Sequence, residues 1–415
     1  MITDFVYWNM LVGIWLMGWI LGYRDFERKR NSLALCVHTN GMGHVIQTLR
    51  ILDVLNKASV KVNLVVLAEQ RKIPEVFLIK LREKVGPECE IVDLAHEVHY
   101  DDNNGGSISN IGVCIEAFWK IYGPAGWRTV KQCSGLLMKH RPEVCLSLWD
   151  PHLPIMIDAF GAKTAVLQVA TQAIMYEQGR GTDLVLDMLY LFNVGRKGDL
   201  LPLTFSQQPG AMPIVVDVPP RLPAEPYLVA YSCMPDVLVP LVNITKHKVV
   251  LFAKDVEILR RWREHKAVHP GSNVEVVKVG ATFQMALAKS SGLIASPSPG
   301  AVIQALACAK PCFLFVPPGH LEQTMNYNYY ARHFVGVSTT ASGPIEEWAD
   351  GAMAMAMGDG PTARTMVEQS ERVRAWLDAF DAAADRTLIR ALRRLFDEAK
   401  GSWPKADEVA PVSAA

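Results

Sequence analysis

Short apolar runs alternate with amphipathic stretches along almost the whole chain, and the series occurs twice. The first series has apolar runs at residues 33–39, 60–67, 90–94, 144–148 and 164–169, with helical spacing at 45–55, 73–85 and 113–140. The second has runs at 228–232, 249–253, 274–279, 293–295 and 312–316, interleaved with helical stretches at 256–265, 282–290, 301–309 and 322–333. A wholly apolar run offers no face to water, so it reads as a strand covered on both sides. Such strands alternating with helices imply crossover units and a parallel sheet between helical layers. Between the two series, residues 201–226 carry seven prolines and little periodicity. Proline fixes φ and removes a backbone donor, which makes a poor element and a good linker.

The expected organisation follows. Residues 1–30 are read as a membrane anchor with a basic flank, 31–200 as a first Rossmann-like domain and 201–226 as a linker. Residues 227–400 are read as a second Rossmann-like domain that is helical from 361 onward, and 401–415 as a tail. The anchor rests on residues 6–23, a run of 18 that is apolar apart from Asn9 and a few weakly polar positions, followed by Arg24, Arg28, Lys29 and Arg30. About 20 apolar residues span a bilayer core, and basic residues mark the cytosolic side. The expectation is therefore a single-pass or monotopic anchor with the remainder of the chain in the cytosol. The bland alternative is a hydrophobic helix that lies in the membrane interface or packs on the domain.

Half of the 415 residues are hydrophobic, enough for full cores. Lys plus Arg and Asp plus Glu each total 42, so the net charge is zero and nothing in the overall charge points to nucleic acid. Any anionic ligand must be held by local devices such as helix N-termini. The eight cysteines include no C-x-x-C pair and no zinc-ligand spacing, and read as reduced structural thiols.

Three runs carry side chains suited to chemistry. His38-Thr39-Asn40-Gly41-Met42-Gly43-His44 follows the first strand. Ligands of open parallel sheets bind beyond the carboxyl ends of strands, and glycines there let backbone approach a ligand. His44 would enter the first helical turn, where an imidazole serves as a base near neutral pH. In the second series, Ser296-Pro297-Ser298-Pro299-Gly300-Ala301 joins a strand to a helix that includes Gln304. The N-terminus of that helix offers free N–H groups and a positive dipole end. Farther on, Pro317-Pro318-Gly319-His320 precedes Glu322, Gln323 and Asn326 at the next helix start. A carboxylate beside an amide both accepts and donates, as sugar hydroxyls require. Asp150, after the strand ending near Leu148, could assist His44 or merely cap a helix. Taken singly, each run is also compatible with an ordinary strand–turn–helix joint.

Together the runs resemble the nucleotide-sugar glycosyltransferases of the GT-B superfold. They are similar in style to the families of the lipid II-forming N-acetylglucosaminyltransferase and the galactolipid synthases. The matching text is the Gly41-Met42-Gly43-His44 loop, Gln304-Ala305-Leu306, Ala309-Lys310-Pro311, Pro317, Glu322-Gln323 and Asn326. The resemblance implies two Rossmann-like parallel-sheet domains facing a cleft and a hexosyltransferase needing neither metal nor cofactor. The donor would be a nucleotide-diphosphate sugar, a uridine one, and the acceptor a lipid or membrane-near hydroxyl. It further implies His44 as catalytic base and the Ser298, Gly300 and Ala301 loop on the diphosphate. Gln304 would lie on the ribose, with Glu322, Gln323 and Asn326 around the donor sugar. Two departures stand out: Gln304 where the family has Glu, and Pro297 and Pro299 where glycines are common. These favour the non-enzymatic alternative, a silent membrane recruiter with a protein partner, which predicts no nucleotide binding. A sugar-nucleotide 2-epimerase, which needs no acceptor, is the second alternative.

Overall fold

The computed structural model describes residues 2–39, 42–68, 73, 75–94, 123–170, 191, 194–196, 198–231, 246–253, 256–269, 271–279, 282–316, 321–339, 345–357 and 360–398. Two compact units emerge. One comprises residues 1–99, 111–215 and 380–415, and the other residues 100–110 and 216–379.

The first unit is built on seven parallel strands. They are β1 (Leu33–Val37), β2 (Val62–Leu67), β3 (Glu90–Asp93), β4 (Val144–Leu148), β5 (Ala165–Ala170), β6 (Asp199–Thr204) and β7 (Met212–Pro213), ordered β3-β2-β1-β4-β5-β6-β7. Successive residues of β1 serve opposite faces, as a strand's period of two requires. Leu33, Leu35 and Val37 join a core with α2 (Met42–Lys57) and α3 (Glu75–Val85). Ala34 and Cys36 join a second core with α1 (Ile2–Ile20), α4 (Pro124–His140) and α5 (His152–Phe160). Both faces are therefore sealed, which explains the unbroken apolar runs in the sequence.

Two expectations change here. No helix among the described residues is long and apolar enough to cross a membrane, which overturns the anchor at residues 6–23 and the membrane localisation drawn from it. One side of α1 is spent on protein packing instead. Tyr7, Met10, Leu11, Ile14 and Met17 are buried in the second core. The Tyr7 hydroxyl donates to Asp158 at 2.8 Å, and Gly18 lies so close to the Phe160 ring that a Cβ there would meet it at 2.2 Å. The basic flank turns onto the same unit: Arg28 donates to the Lys163 carbonyl, and the Lys29 backbone N–H to the Arg141 carbonyl. The proline-rich stretch at 201–226 also holds more structure than a linker. Leu201, Leu203 and Met212 are buried in the first core through β6 and β7, and the sheet accepts Pro202 and Pro213 in its last two strands.

The second unit carries six parallel strands. These are β8 (Tyr227–Tyr231), β9 (Lys248–Ala253), β10 (Val274–Lys278), β11 (Gly292–Ala295), β12 (Cys312–Leu314) and β13 (Val337–Thr339), in the order β10-β9-β8-β11-β12-β13. Helices α6 (Val256–Ala267), α7 (Thr282–Lys289), α8 (Pro299–Ala307), α9 (Leu321–His333), α10 (Ile345–Met357) and α11 (Pro361–Asp378) connect and cover them. After α11 the chain returns to the first unit. Helix α12 (Phe380–Ala384), a π-helical turn (Asp385–Ile389) and α13 (Arg390–Glu398) place Phe380, Leu388, Leu392 and Phe396 in the first core. Arg374 fastens α11 by donating to the Ala307 carbonyl at 2.6 Å and the Pro219 carbonyl at 2.5 Å.

Candidate functional site

Each sheet reverses its strand order at one point, between β1 and β4 in the first unit and between β8 and β11 in the second. Beyond the carboxyl ends of strands at such a point the two flanking loops diverge and leave room for a ligand. His44 and Asp150 follow the two strands at the first reversal, the Ser298 to Gln304 run follows β11 at the second, and Glu322, Gln323 and Asn326 follow β12, one strand farther along.

In the first unit, Val37 pairs with Leu148 in register. The residues that follow both strands therefore emerge side by side, and the His38 N–H bonds the Leu148 carbonyl at 3.2 Å. Helix α2 begins at Met42 and carries His44 in its first turn, half-buried. The His38 ring meets the His44 ring edge-on with centroids 5.5 Å apart. Gly43 is exposed, and a Cβ added there would meet nothing within 4 Å. Gly41 lies outside the described residues.

Trp149, directly after β4, has φ of +60°. A bulky residue rarely adopts that conformation, and such strain collects at functional sites. It turns the chain so that Asp150 is fully buried. The Ser147 hydroxyl donates to the Asp150 carbonyl at 2.8 Å, and the Asp150 N–H returns to the Ser147 oxygen at 3.1 Å. The Asp150 carboxylate accepts from the His152 backbone N–H at 3.0 Å and lies 3.1 Å from that residue's Nδ1. Burial pushes this carboxyl up. The His152 charge and hydrogen bonds, together with the charge of His38, outweigh burial and hold it below the ordinary carboxylate range. Asp150 thus engages His152 directly and senses His38. His38 is the residue whose part sequence reasoning passed over, although it opens the quoted run and directly follows β1.

In the second unit, β11 ends at Ala295 and α8 begins at Pro299. Between them Ser296 and Ser298 face each other, Oγ to Oγ at 3.0 Å, and the Ser298 N–H turns back to the Ser296 carbonyl at 2.6 Å. Pro299 stands at the first helical position, where the missing N–H costs the helix nothing. The next N–H groups, of Gly300 and Ala301, belong to the first turn and have no acceptor inside the helix. A Cβ added at Gly300 would meet nothing within 4 Å, so this helix end is open.

Gln304 has a local reason to be an amide. Its Nε2 donates to the Asp217 carbonyl at 2.8 Å. A glutamate would set an acceptor against an acceptor there. The amide oxygen is not committed to that bond. On α9, Gln323 and Asn326 are buried and Glu322 is half-buried. The spacing of three puts Gln323 and Asn326 on one helix face. Among the described residues, the buried Asn326 Nδ2 has no hydrogen-bond partner, and an unused buried donor calls for an explanation such as a ligand. Tyr330, one turn on, is fully buried, and desolvation followed by the charges of neighbouring groups pushes its phenol well above the ordinary value. Residues 317–320 lie outside the described residues. Among the described residues no group of three or more His, Cys, Asp or Glu could hold a metal ion.

No protein-family model and no curated protein sequence matches the chain. Solved structures do. The glycosyltransferase VinC in complex with DTDP is similar at 11% identity and a TM-score of 0.54, over 88% of this chain and 100% of that one. UGT89C1 of Arabidopsis thaliana complexed with quercetin is similar at 12% identity and a TM-score of 0.55, over 89% of this chain and 100% of that one. The same plant protein complexed with UDP-L-rhamnose gives 14% identity and a TM-score of 0.53, with the same coverage. These likenesses, with the two parallel sheets, establish the fold of the chain as that of the GT-B glycosyltransferases.

Proposed function

We propose that the chain transfers a hexosyl group from a nucleotide-diphosphate sugar, a uridine one, to a hydroxyl acceptor, without a metal ion or cofactor. The observation that carries this reading is the placement of both candidate groups at the strand-order reversals of their sheets. His44, with His38 beside it, stands at one, and the open N-terminus of α8 stands at the other. The fold supports it, since similar structures were solved with DTDP and with UDP-L-rhamnose.

In this reading the acceptor hydroxyl gives its proton to His44 while its oxygen bonds to the anomeric carbon. The bond from that carbon to the diphosphate breaks, and the electron pair leaves with the diphosphate. The Gly300 and Ala301 N–H groups and the positive end of α8 stabilise the charge that develops there, which removes the need for a metal. Ser298 lies on the same loop and adds a hydroxyl. The free oxygen of Gln304 accepts from a ribose hydroxyl, and Glu322, Gln323 and Asn326 hold the sugar. Asp150 assists through the histidines around it. The resemblance implied a lipid or membrane-near acceptor, and that part of the reading now stands without a membrane-spanning helix among the described residues beside it.

The test combines binding and turnover. A ligand at a hundred times its dissociation constant stabilises a protein by about 2.7 kcal/mol. UDP should therefore raise the melting temperature, with GDP, ADP and TDP as controls, and His44→Ala should leave that shift intact while cutting transfer at least roughly tenfold. Unchanged turnover in His44→Ala would remove the base role. A shift with no nucleotide would favour a silent protein of this fold that docks a partner.

A further inference from the structure

The outer face of α1 carries an apolar stripe. Trp8, Val12, Trp15, Leu16, Trp19 and Ile20 are each between 45 and 63% exposed, while the opposite face of the same helix is buried in the first unit. Four of them, at 8, 12, 15 and 19, are spaced four, three and four residues apart. That spacing keeps side chains in one line along a helix and is the spacing of a helix–helix seam. Scattered exposed apolar residues need no explanation, but a continuous stripe marks an interaction surface.

We infer that this stripe is the interface of a homodimer in which the α1 helices of two copies pack antiparallel about a two-fold axis. Three observations favour a second copy as the occupant. The stripe is self-complementary, as a two-fold interface requires. Antiparallel pairing about its midpoint sets Trp8 against Trp19 of the partner subunit, and Val12 against Trp15 of the partner subunit. Large rings at one end thus meet large rings, and a small aliphatic group near the middle makes room for an indole. The charge pattern also fits. Residues 5–23 contain no charged side chain, so the two helix faces themselves carry no like charges. The Arg196 guanidinium lies 4.1 Å from the centre of the Trp8 ring. Finally, the exposed parts of the six side chains amount to about 600 Å² per copy, so pairing can bury up to roughly 1,200 Å², the low end of specific interfaces. The inference does not depend on the sugar-transfer reading.

The experiment is light scattering after size exclusion on the full chain at about 10 μM, a concentration that populates a dimer of micromolar dissociation constant. The expected result is twice the chain mass for the native protein, and a monomer with unchanged circular dichroism for the double variant Trp15→Glu, Leu16→Glu. Trp15→Ala, which introduces no charge, should weaken the dimer at least roughly tenfold by sedimentation. A native monomer overturns the inference. So does a dimer untouched by Trp15→Ala, because its interface then lies elsewhere. A native monomer that co-sediments with phosphatidylcholine–phosphatidylserine vesicles, and loses this in the double variant, assigns the stripe to lipid instead.

Discussion

A carboxylate with no exposed surface persists only where partners replace its water. Asp150 has such partners in the His152 backbone N–H and ring, and His38 adds its charge. Asp150→Ala should destabilise the first unit by about 3 kcal/mol in urea unfolding, as for other broken buried pairs. The pH dependence has a definite sign. A carboxyl whose folded value lies below its unfolded value of about 4 stabilises above that value, and the contribution is lost as pH falls through the folded one. The urea midpoint should therefore drop below about pH 4, and drop less in Asp150→Asn. Gln304 allows a second prediction at this scale. Gln304→Glu keeps size and loses the donor to the Asp217 carbonyl, and should cost about 1 kcal/mol by thermal unfolding. An unchanged melting temperature would show that the bond contributes nothing.

Helices α1 and α8 are both largely apolar, yet only one of them was legible from its sequence. Most of α1 is apolar on both sides, yet only one side is covered, because Gly18 lets the helix settle against Phe160, which in turn stacks on Tyr23 with ring centroids 4.0 Å apart. Gly18→Val should break that approach and destabilise the unit by about 2 kcal/mol, the usual cost of overpacking. The observable is a lowered urea midpoint together with faster proteolysis within residues 2–20. Helix α8 was legible from its text: Pro299 and Gly300 mark a helix start, and the strand before it is short and apolar. Helix α1 was misread because hydropathy counts residues along the chain and is blind to which of them face a neighbouring helix.

At the scale of the molecule, the chain leaves the first unit at residue 215, builds the second, and returns at Phe380. The returning segment is part of the first core, since Phe380, Leu388, Ile389, Leu392, Leu395 and Phe396 are buried within it. Ending the chain at Ala379 should therefore unfold the first unit rather than trim a tail. Circular dichroism and limited proteolysis would report this as lost helix and strand with the second unit still protected. The alternation of apolar runs foretold β1 to β5 and β8 to β12, because strands sealed on two faces must be apolar throughout, while β6, β7 and β13 carry no such run. The loops beyond those strands were legible for a related reason: glycine, proline and the residues at helix starts act locally. Three features needed the folded chain. These are the docking of α1, the strands within residues 201–226, and the approach of His38 to both His44 and Asp150. Each depends on which surface meets which in the folded chain, and such contacts, over a hundred residues apart for Tyr7 with Asp158 and for His38 with Leu148, leave no periodic trace in the text.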